Sequence, residues 1–124
     1  MPLVDFDTVL EEIGNAEEIL FMQALVRSKL AHGADNMPVF LIVTEDALFW
    51  GGSVGTDGMF HRIPLKSVVK AGRAGMLLWE CVEITHMEYD GEKTAYLCPF
   101  TGHHSKPSKD KASTEALLSR LVKR

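Results

Sequence analysis

The sequence has little that would tie it to a membrane or to an oxidising compartment. No apolar run approaches the ~20 residues that a transmembrane helix requires. The segment from Met1 to Asp5 lacks the basic residues and the long apolar stretch of a secretory leader. Only two cysteines are present, Cys81 and Cys98. We therefore expect a cytoplasmic protein with reduced cysteines.

An excess of basic charge is also missing. The net charge of the 124 residues is −4, so the chain as a whole is poorly suited to neutralising phosphates, and we expect no nucleic-acid partner. Hydrophobic residues make up 46% and charged residues 24%. These values are typical of a single folded domain with a modest core.

The spacings that catalysis and metal binding require are absent from the sequence. It has no Cys-x-x-Cys or His-Glu-x-x-His motif, no Gly-x-Ser-x-Gly turn and no catalytic Cys–His signature. The glycine-rich stretch "GGSVGTDG" at 51–58 lacks the Gly-Lys-Ser/Thr ending of a phosphate-binding loop, and we interpret it as a hairpin connection. We expect neither an enzyme nor a bound metal or cofactor.

The first residues of the chain predict an amphipathic helix. Apolar residues recur at helical spacing on one face. Asp5 or Asp7 is the expected N-cap, and Gly14 the expected end. The helix is predicted within 1–14, and its apolar face consists of Phe6, Val9, Leu10 and Ile13.

The end of the chain predicts a second helix, over residues 113–123. Ser113 or Thr114 is the expected N-cap. Its apolar face would cover one end of the β structure described next, and it consists of Leu117, Leu118, Leu121 and Val122.

Between the helices, short strand patterns separated by turn residues predict six or seven antiparallel strands within 19–100. The stretch "VFLIVTEDALFWGG" at 39–52 is a predicted hairpin whose turn is Glu45-Asp46. A loop is expected before it, at 32–38, and a turn at 72–75. The later strands are predicted at 59–63, 67–71, 76–89 and 94–98.

Residues 15–31 allow two interpretations. Asn15 and Glu18 have the spacing of a capping box, and a helical stripe of Ile19, Met22, Val26 and Leu30 would follow. The second half of the segment also alternates as a strand does. Local propensity favours the helix.

The dipeptide Asp90-Gly91 is the strongest hairpin signal in the chain. Symmetric pairing about it would place Cys81 opposite Phe100 and Cys98 opposite Glu83. The two cysteines would then be offset by two residues. We therefore expect structural thiols rather than a disulfide.

Two consecutive stretches resemble a known family. "FLIVTEDALFWGG" followed by "HRIPLKSVVKAG" is similar to the pleckstrin-homology-like (PH-like) superfamily, especially GRAM and bacterial PH domains. The resemblance covers roughly residues 19–123. It implies a mainly β fold, α+β by content: a split barrel of two antiparallel sheets, capped by the last helix. Residues 19–30 would be its first strand, so the resemblance favours the strand interpretation of that segment, and the helix at 1–14 would be an addition.

The resemblance also implies a binding module, since PH-like domains bind phosphoinositides, peptides or other proteins. We expect a protein partner or self-association through the first helix, at Phe6, Val9, Leu10 and Ile13. The alternative is a module that binds phosphoinositides or acidic lipids at the membrane surface, with weak membrane contact through basic residues at 61–73. The residues predicted for that alternative are Arg62, Lys66, Lys70 and Arg73.

A weaker third interpretation is a small-ligand carrier or enzyme. It would use a cavity of the barrel near Trp50, Trp79 and His86.

Overall fold

The computed structural model describes residues 3–27, 37–51, 59–76, 79–103 and 106–122, with Met37, Met76 and Trp79 described for their backbone alone. The described ranges form nine strands, two α-helices and a 3₁₀ turn. In chain order these are β1 Leu3–Asp5, α1 Phe6–Gly14, β2 Leu20–Arg27, β3 Met37–Val43, β4 Ala47–Gly51, β5 Met59–Pro64, the 3₁₀ turn Leu65–Ser67, β6 Val68–Met76, β7 Trp79–Glu88, β8 Gly91–Thr101, β9 Ser108–Lys109 and α2 Lys111–Val122.

All strands belong to one antiparallel sheet in the order β1-β5-β4-β3-β2-β8-β7-β6, with β9 added beside β8. The mainly antiparallel β fold expected from the sequence is confirmed. The hydrogen-bonded path is continuous, so the strands form one open sheet and not two separate ones.

The sheet curls so that strands far apart in this order meet on one face, which we call the concave face. A single apolar cluster joins Ile63 of β5 to Val68 of β6, although these strands lie near opposite ends of the sheet. The same cluster includes residues of the intervening strands and of α2. Leu117 and Leu121 of α2 are fully buried in it. The C-terminal helix therefore closes the concave core, as the sequence predicts, although Val122 of the predicted apolar face is 56% exposed.

The opposite face, which we call the outer face, carries two smaller clusters. In one, Val9 of α1 packs with Ile42, Phe49 and Phe60. In the other, Leu25 and Phe100 surround Cys81 and Cys98. Successive residues of a strand point to opposite faces, so both faces of the sheet bury apolar side chains.

Residues 20–27 form a strand and not a helix. This decides between the two interpretations of 15–31 for these eight residues. Met22, Ala24 and Val26 enter the concave core, and β2 pairs with both β3 and β8. The strand that the family resemblance implies is therefore found over these residues, and the helical alternative does not form because this pairing on two sides outweighs local helix propensity. No capping box forms at Asn15, whose side-chain amide donates instead to the Glu11 carbonyl.

The register expected for the long hairpin is wrong by two residues. Glu88 pairs with Gly91, so the two turn residues are Tyr89 and Asp90. Gly91 follows the turn with a φ of 127°, a backbone conformation that favours glycine. Moving a two-residue turn by one position shifts the pairing by two, so the side chains keep their faces while their partners change.

This shift brings the two cysteines directly opposite each other, because the adjacent pair is Val82 and Leu97. Cys81 and Cys98 form a disulfide with a Cα–Cα distance of 4.2 Å, and both are buried. The expectation of reduced structural thiols is therefore wrong.

One further local expectation is corrected. The predicted turn at 72–75 lies inside β6, which pairs with β7 along this stretch. β1 and β9 were not predicted, because β1 has three residues and β9 has two, and segments this short show no strand pattern. The seven longer strands agree with the predicted number. The predicted loop at 32–38 lies outside the described residues except for Met37 and Pro38 in β3, as does the connection at 52–58.

The predicted N-cap is confirmed for α1, whereas the N-cap predicted for α2 is wrong. Asp5 accepts a hydrogen bond from the Thr8 backbone N–H at 2.8 Å. In α2 the capping side chain is Asp110, which accepts from the Ser113 N–H at 3.0 Å. The helix therefore begins earlier than a Ser113 or Thr114 cap would place it. Neither described helix has the length and apolar content needed to cross a membrane.

Candidate functional site

The four basic residues predicted for lipid binding do not form one cluster. Arg62 of β5 is held by Glu12 of α1: its Nε and Nη2 lie 2.9 and 2.8 Å from the two carboxylate oxygens. Its guanidinium also lies 5.8 Å from the centroid of the Phe49 ring. Arg62 therefore joins α1 to the outer face of the sheet.

The remaining three basic residues lie further along the chain. Lys66 is exposed in the 3₁₀ turn. On β6, Arg73 pairs with Glu115 of α2 on the concave side, whereas Lys70 lies 4.0 Å from Glu83 on the outer side. Since Lys70 and Arg73 point to opposite faces, one phosphate group could not contact both.

The apolar face predicted for α1 is largely covered by the sheet. Val9 is fully buried, and Phe6 and Ile13 are partly buried in the same outer cluster. The Phe6 ring stacks on Phe60 with a centroid distance of 6.1 Å. Leu10 remains 48% exposed, so it is the member of this predicted set that stays accessible to a partner.

An exposed aromatic residue of β2 was missed in the sequence. Phe21 is 60% exposed, and its ring stacks on Phe40 of β3 with a centroid distance of 5.8 Å. Phe40 in turn packs against the cluster under α1. The missed signal is the strand alternation of β2, which places Phe21 on the face opposite Met22. We call Phe21 and Phe40 the aromatic pair.

The concave face contains a pocket at one end of its core. Two cross-strand pairs face each other there: Trp50 with His61 on β4 and β5, and His86 with Lys93 on β7 and β8. Curling of the sheet brings them together around a cavity of about 340 Å³, which we call the concave pocket. Its complete lining is Val26, Arg27, Trp50, His61, His86, Glu88, Lys93, Thr94 and Ala95.

The structure thus places Trp50 and His86 together, as the third interpretation of the sequence expects. The side chain of Trp79 lies outside the described residues. His61 was not predicted, because its proximity to His86 depends on the curl of the sheet and on no local pattern. The ring centroids of His61 and Trp50 are 5.5 Å apart.

Burial governs the protonation of the pocket histidines. It lowers the pKa of His61 and of His86, and the neighbouring carboxylate of Glu88 opposes this effect in both. The Nδ1 atom of His86 lies 3.7 Å from a Glu88 carboxylate oxygen. Both rings are therefore predominantly neutral near pH 7.

The described residues offer no metal site, since no three side chains of His, Cys, Asp or Glu within them come together as a potential ligand set. The chain matches no protein-family model, and it matches no curated protein.

Proposed function

We propose that the chain is a PH-like binding module that acts by protein association and has no catalytic role. The order of its elements supports the PH-like part of this proposal. A curved antiparallel sheet is followed by a C-terminal helix that closes its concave core. The added helix α1 lies on the other face, beside the surface that we propose for association.

The observation that carries the proposal is the exposure of the aromatic pair. An aromatic ring that is 60% exposed on a strand, and already stacked on a second ring, presents apolar area that a partner could remove from water. Aromatic residues are enriched at the centres of protein interfaces because they bury much area at a small cost in conformational entropy.

The backbone around the aromatic pair is well anchored. The carboxylate of Glu45, in the β3–β4 turn, accepts hydrogen bonds from the N–H groups of Glu17 and Glu18 at 2.9 and 3.0 Å. These contacts fix the segment that leads into β2. Because the surface is held in place before binding, association would lose little further backbone entropy.

The partner that we propose is a second copy of this chain. In a two-fold contact the same surface patch meets itself, and residue pairs across it are reciprocal. The aromatic pair suits such a contact, since stacked or edge-to-face rings from two copies would bury each other. Two further apolar side chains precede Phe21 in the chain: Leu10 on α1 is 48% exposed, and Ile19, in the connection just before β2, is 47% exposed.

Light scattering coupled to size-exclusion chromatography tests this proposal over roughly 10–500 µM protein. We expect a mass that rises above the 13.8 kDa of one chain as the concentration increases, and a Phe21→Ser variant that stays at the monomer mass. The matched control is Val69→Ser, because Val69 is also exposed on a strand, at 54%. A wild-type mass that stays monomeric throughout would overturn self-association, as would equal effects of the two variants.

A further inference from the structure

The disulfide lies where two neighbouring strands separate. The pairing of β7 with β8 ends at Val82 and Leu97, and Cys81 and Cys98 come directly after that last pair. Beyond the cysteines, β7 continues beside β6 alone, whereas β8 continues beside β2 and β9. The disulfide therefore joins two branches of the sheet at the point where their backbone pairing stops.

Pro99 explains why the pairing stops there. A proline has no backbone N–H, so Pro99 cannot donate the hydrogen bond that would carry the pairing past the cysteines. Its carbonyl accepts from the Asp110 N–H at 3.3 Å, and the next residue, Phe100, pairs with Lys109 of β9. Because β2 pairs along the other edge of β8, β9 occupies the edge that β7 has left.

One apolar cluster spans both branches around the disulfide. It contains Cys81 and Cys98, which are 0% and 1% exposed, together with Leu25 of β2 and Phe100 of β8, and Ala74 of β6 packs against it. Ala74 and Cys81 belong to one branch, and the other members belong to the second. The cluster therefore stays closed as long as the two branches are held together.

The end of the β6–β7 hairpin, which we call the hairpin end, consists of residues 74–76 and 79–81. These segments pair with each other, and no backbone pairing joins either of these described segments to β8. The residue before them, Arg73, is anchored to α2 by its ion pair with Glu115. Movement away from β8 would therefore be confined to the hairpin end.

We infer that the disulfide is a redox-sensitive clasp. Its reduction lets the hairpin end move away from β8 and exposes Leu25 and Phe100, while the rest of the sheet stays folded. A dithiol reductant supplies the two electrons. One of its thiolates attacks a cysteine sulfur and breaks the S–S bond, its second thiolate displaces that cysteine from the mixed disulfide, and both cysteines leave as thiols while the reductant becomes a disulfide.

The surface that opens would adjoin the aromatic pair. Alternate residues of β2 share its outer face, so Phe21, Gln23 and Leu25 follow one another there, and Gln23 pairs with Phe100. Reduction would therefore add apolar area to the outer face next to Phe21. The opening itself requires no association between copies, so the two proposals can fail separately.

The test measures how fast iodoacetamide alkylates the two thiols of the reduced chain. The protein is reduced with dithiothreitol in urea, returned to native buffer and freed of reductant under nitrogen. Local opening exposes little surface, so the alkylation rate should hardly change as urea is raised below the unfolding transition. Access through global unfolding would make the rate rise exponentially with urea, which would overturn the inference.

The control is a thiol in a part of the sheet that should stay closed. Ala24 is fully buried on β2, which pairs on both sides. The thiol of Ala24→Cys, in a Cys81→Ala/Cys98→Ala background, should be alkylated roughly tenfold or more slowly than the native thiols. Equal rates would overturn the inference.

Amide hydrogen exchange of the reduced chain gives a second readout that needs no variant. The amides of 79–81 should lose most of their protection on reduction, while those of 39–43, in β3, remain strongly protected because this strand pairs on both sides. Unchanged protection at 79–81 would overturn the inference, as would a reduced chain that loses its protection throughout.

Discussion

The two faces of the sheet are used differently, and each carries one helix. On the concave face, one continuous core extends from β5 to β6 and is closed by α2. On the outer face, α1 covers one cluster, the disulfide lies in another, and Phe21 of the aromatic pair remains exposed. The concave face therefore holds the continuous core, while the outer face carries the surface that we propose for association.

The largest expected effect distinguishes the two helices. Leu117→Ala in α2 should lower the free energy of unfolding by about 2–5 kcal/mol, because it leaves a cavity in the continuous core. Val9→Ala in α1 removes less apolar volume from a smaller cluster and should cost about 1–2 kcal/mol. Urea unfolding of both variants measures the difference. Equal losses would contradict the separate roles assigned to the two faces.

The next largest effect on stability is expected from the disulfide, which lies on the outer face. The bond between Cys81 and Cys98 spans 17 residues, so removing it should cost roughly 2–4 kcal/mol through the greater entropy of the unfolded chain. The comparison is between the oxidised protein and the Cys81→Ala/Cys98→Ala variant in urea. A thiol assay of the denatured, unreduced protein provides the control, and two free thiols would contradict the assignment of the disulfide.

A smaller effect tests how α1 is attached. The pair of Arg62 and Glu12 is less than one-third exposed, and we expect it to contribute about 0.5–1 kcal/mol. Because Arg62 also contacts the Phe49 ring, single substitutions would mix two interactions. A double-mutant cycle with Arg62→Met and Glu12→Gln isolates the ion pair, and a coupling of zero would show that α1 is held by its apolar contacts alone.

The most gradual effect concerns the histidines of the concave face. Their pKa values are lowered in the folded state, so the unfolded chain binds more protons below their ordinary value of 6.5. The stability that comes from keeping them neutral is fully present above that pH and is lost as the pH falls below it. Unfolding midpoints between about pH 8 and about pH 5 measure this. The control His86→Gln should show a weaker dependence, and a dependence equal to that of the wild type would show that other groups cause it.

Much of the fold could be predicted from the sequence because its signals are local. The spacing of Val9 and Ile13 predicts α1, and that of Leu117 and Leu121 predicts α2. The alternation in 39–50 predicts the β3–β4 hairpin. Local patterns could not predict the register of the β7–β8 hairpin. A turn at Tyr89-Asp90 and a turn at Asp90-Gly91 place the same side chains on the same faces of the strands. The disulfide follows from that register and was missed with it.

The candidate sites were less predictable because they depend on how distant strands meet. Phe21 carries a local signal in the alternation of β2, but that alternation does not say which face of the strand stays exposed. The pairing of His61 and His86 at one pocket follows from the curl of the whole sheet. The expected lipid site could not be checked from the sequence either, because the carboxylate of Glu12 that engages Arg62 comes from an element 50 residues away.

The most direct test of the central claim is an NMR dilution series of the ¹⁵N-labelled chain, because it locates the contact surface residue by residue. If copies associate through the outer face, the amide signals around Phe21 and Phe40 should shift with concentration. Those of His86 and Lys93 in the concave pocket should stay fixed. Shifts confined to the concave pocket, or signals that do not change with concentration, would contradict the claim.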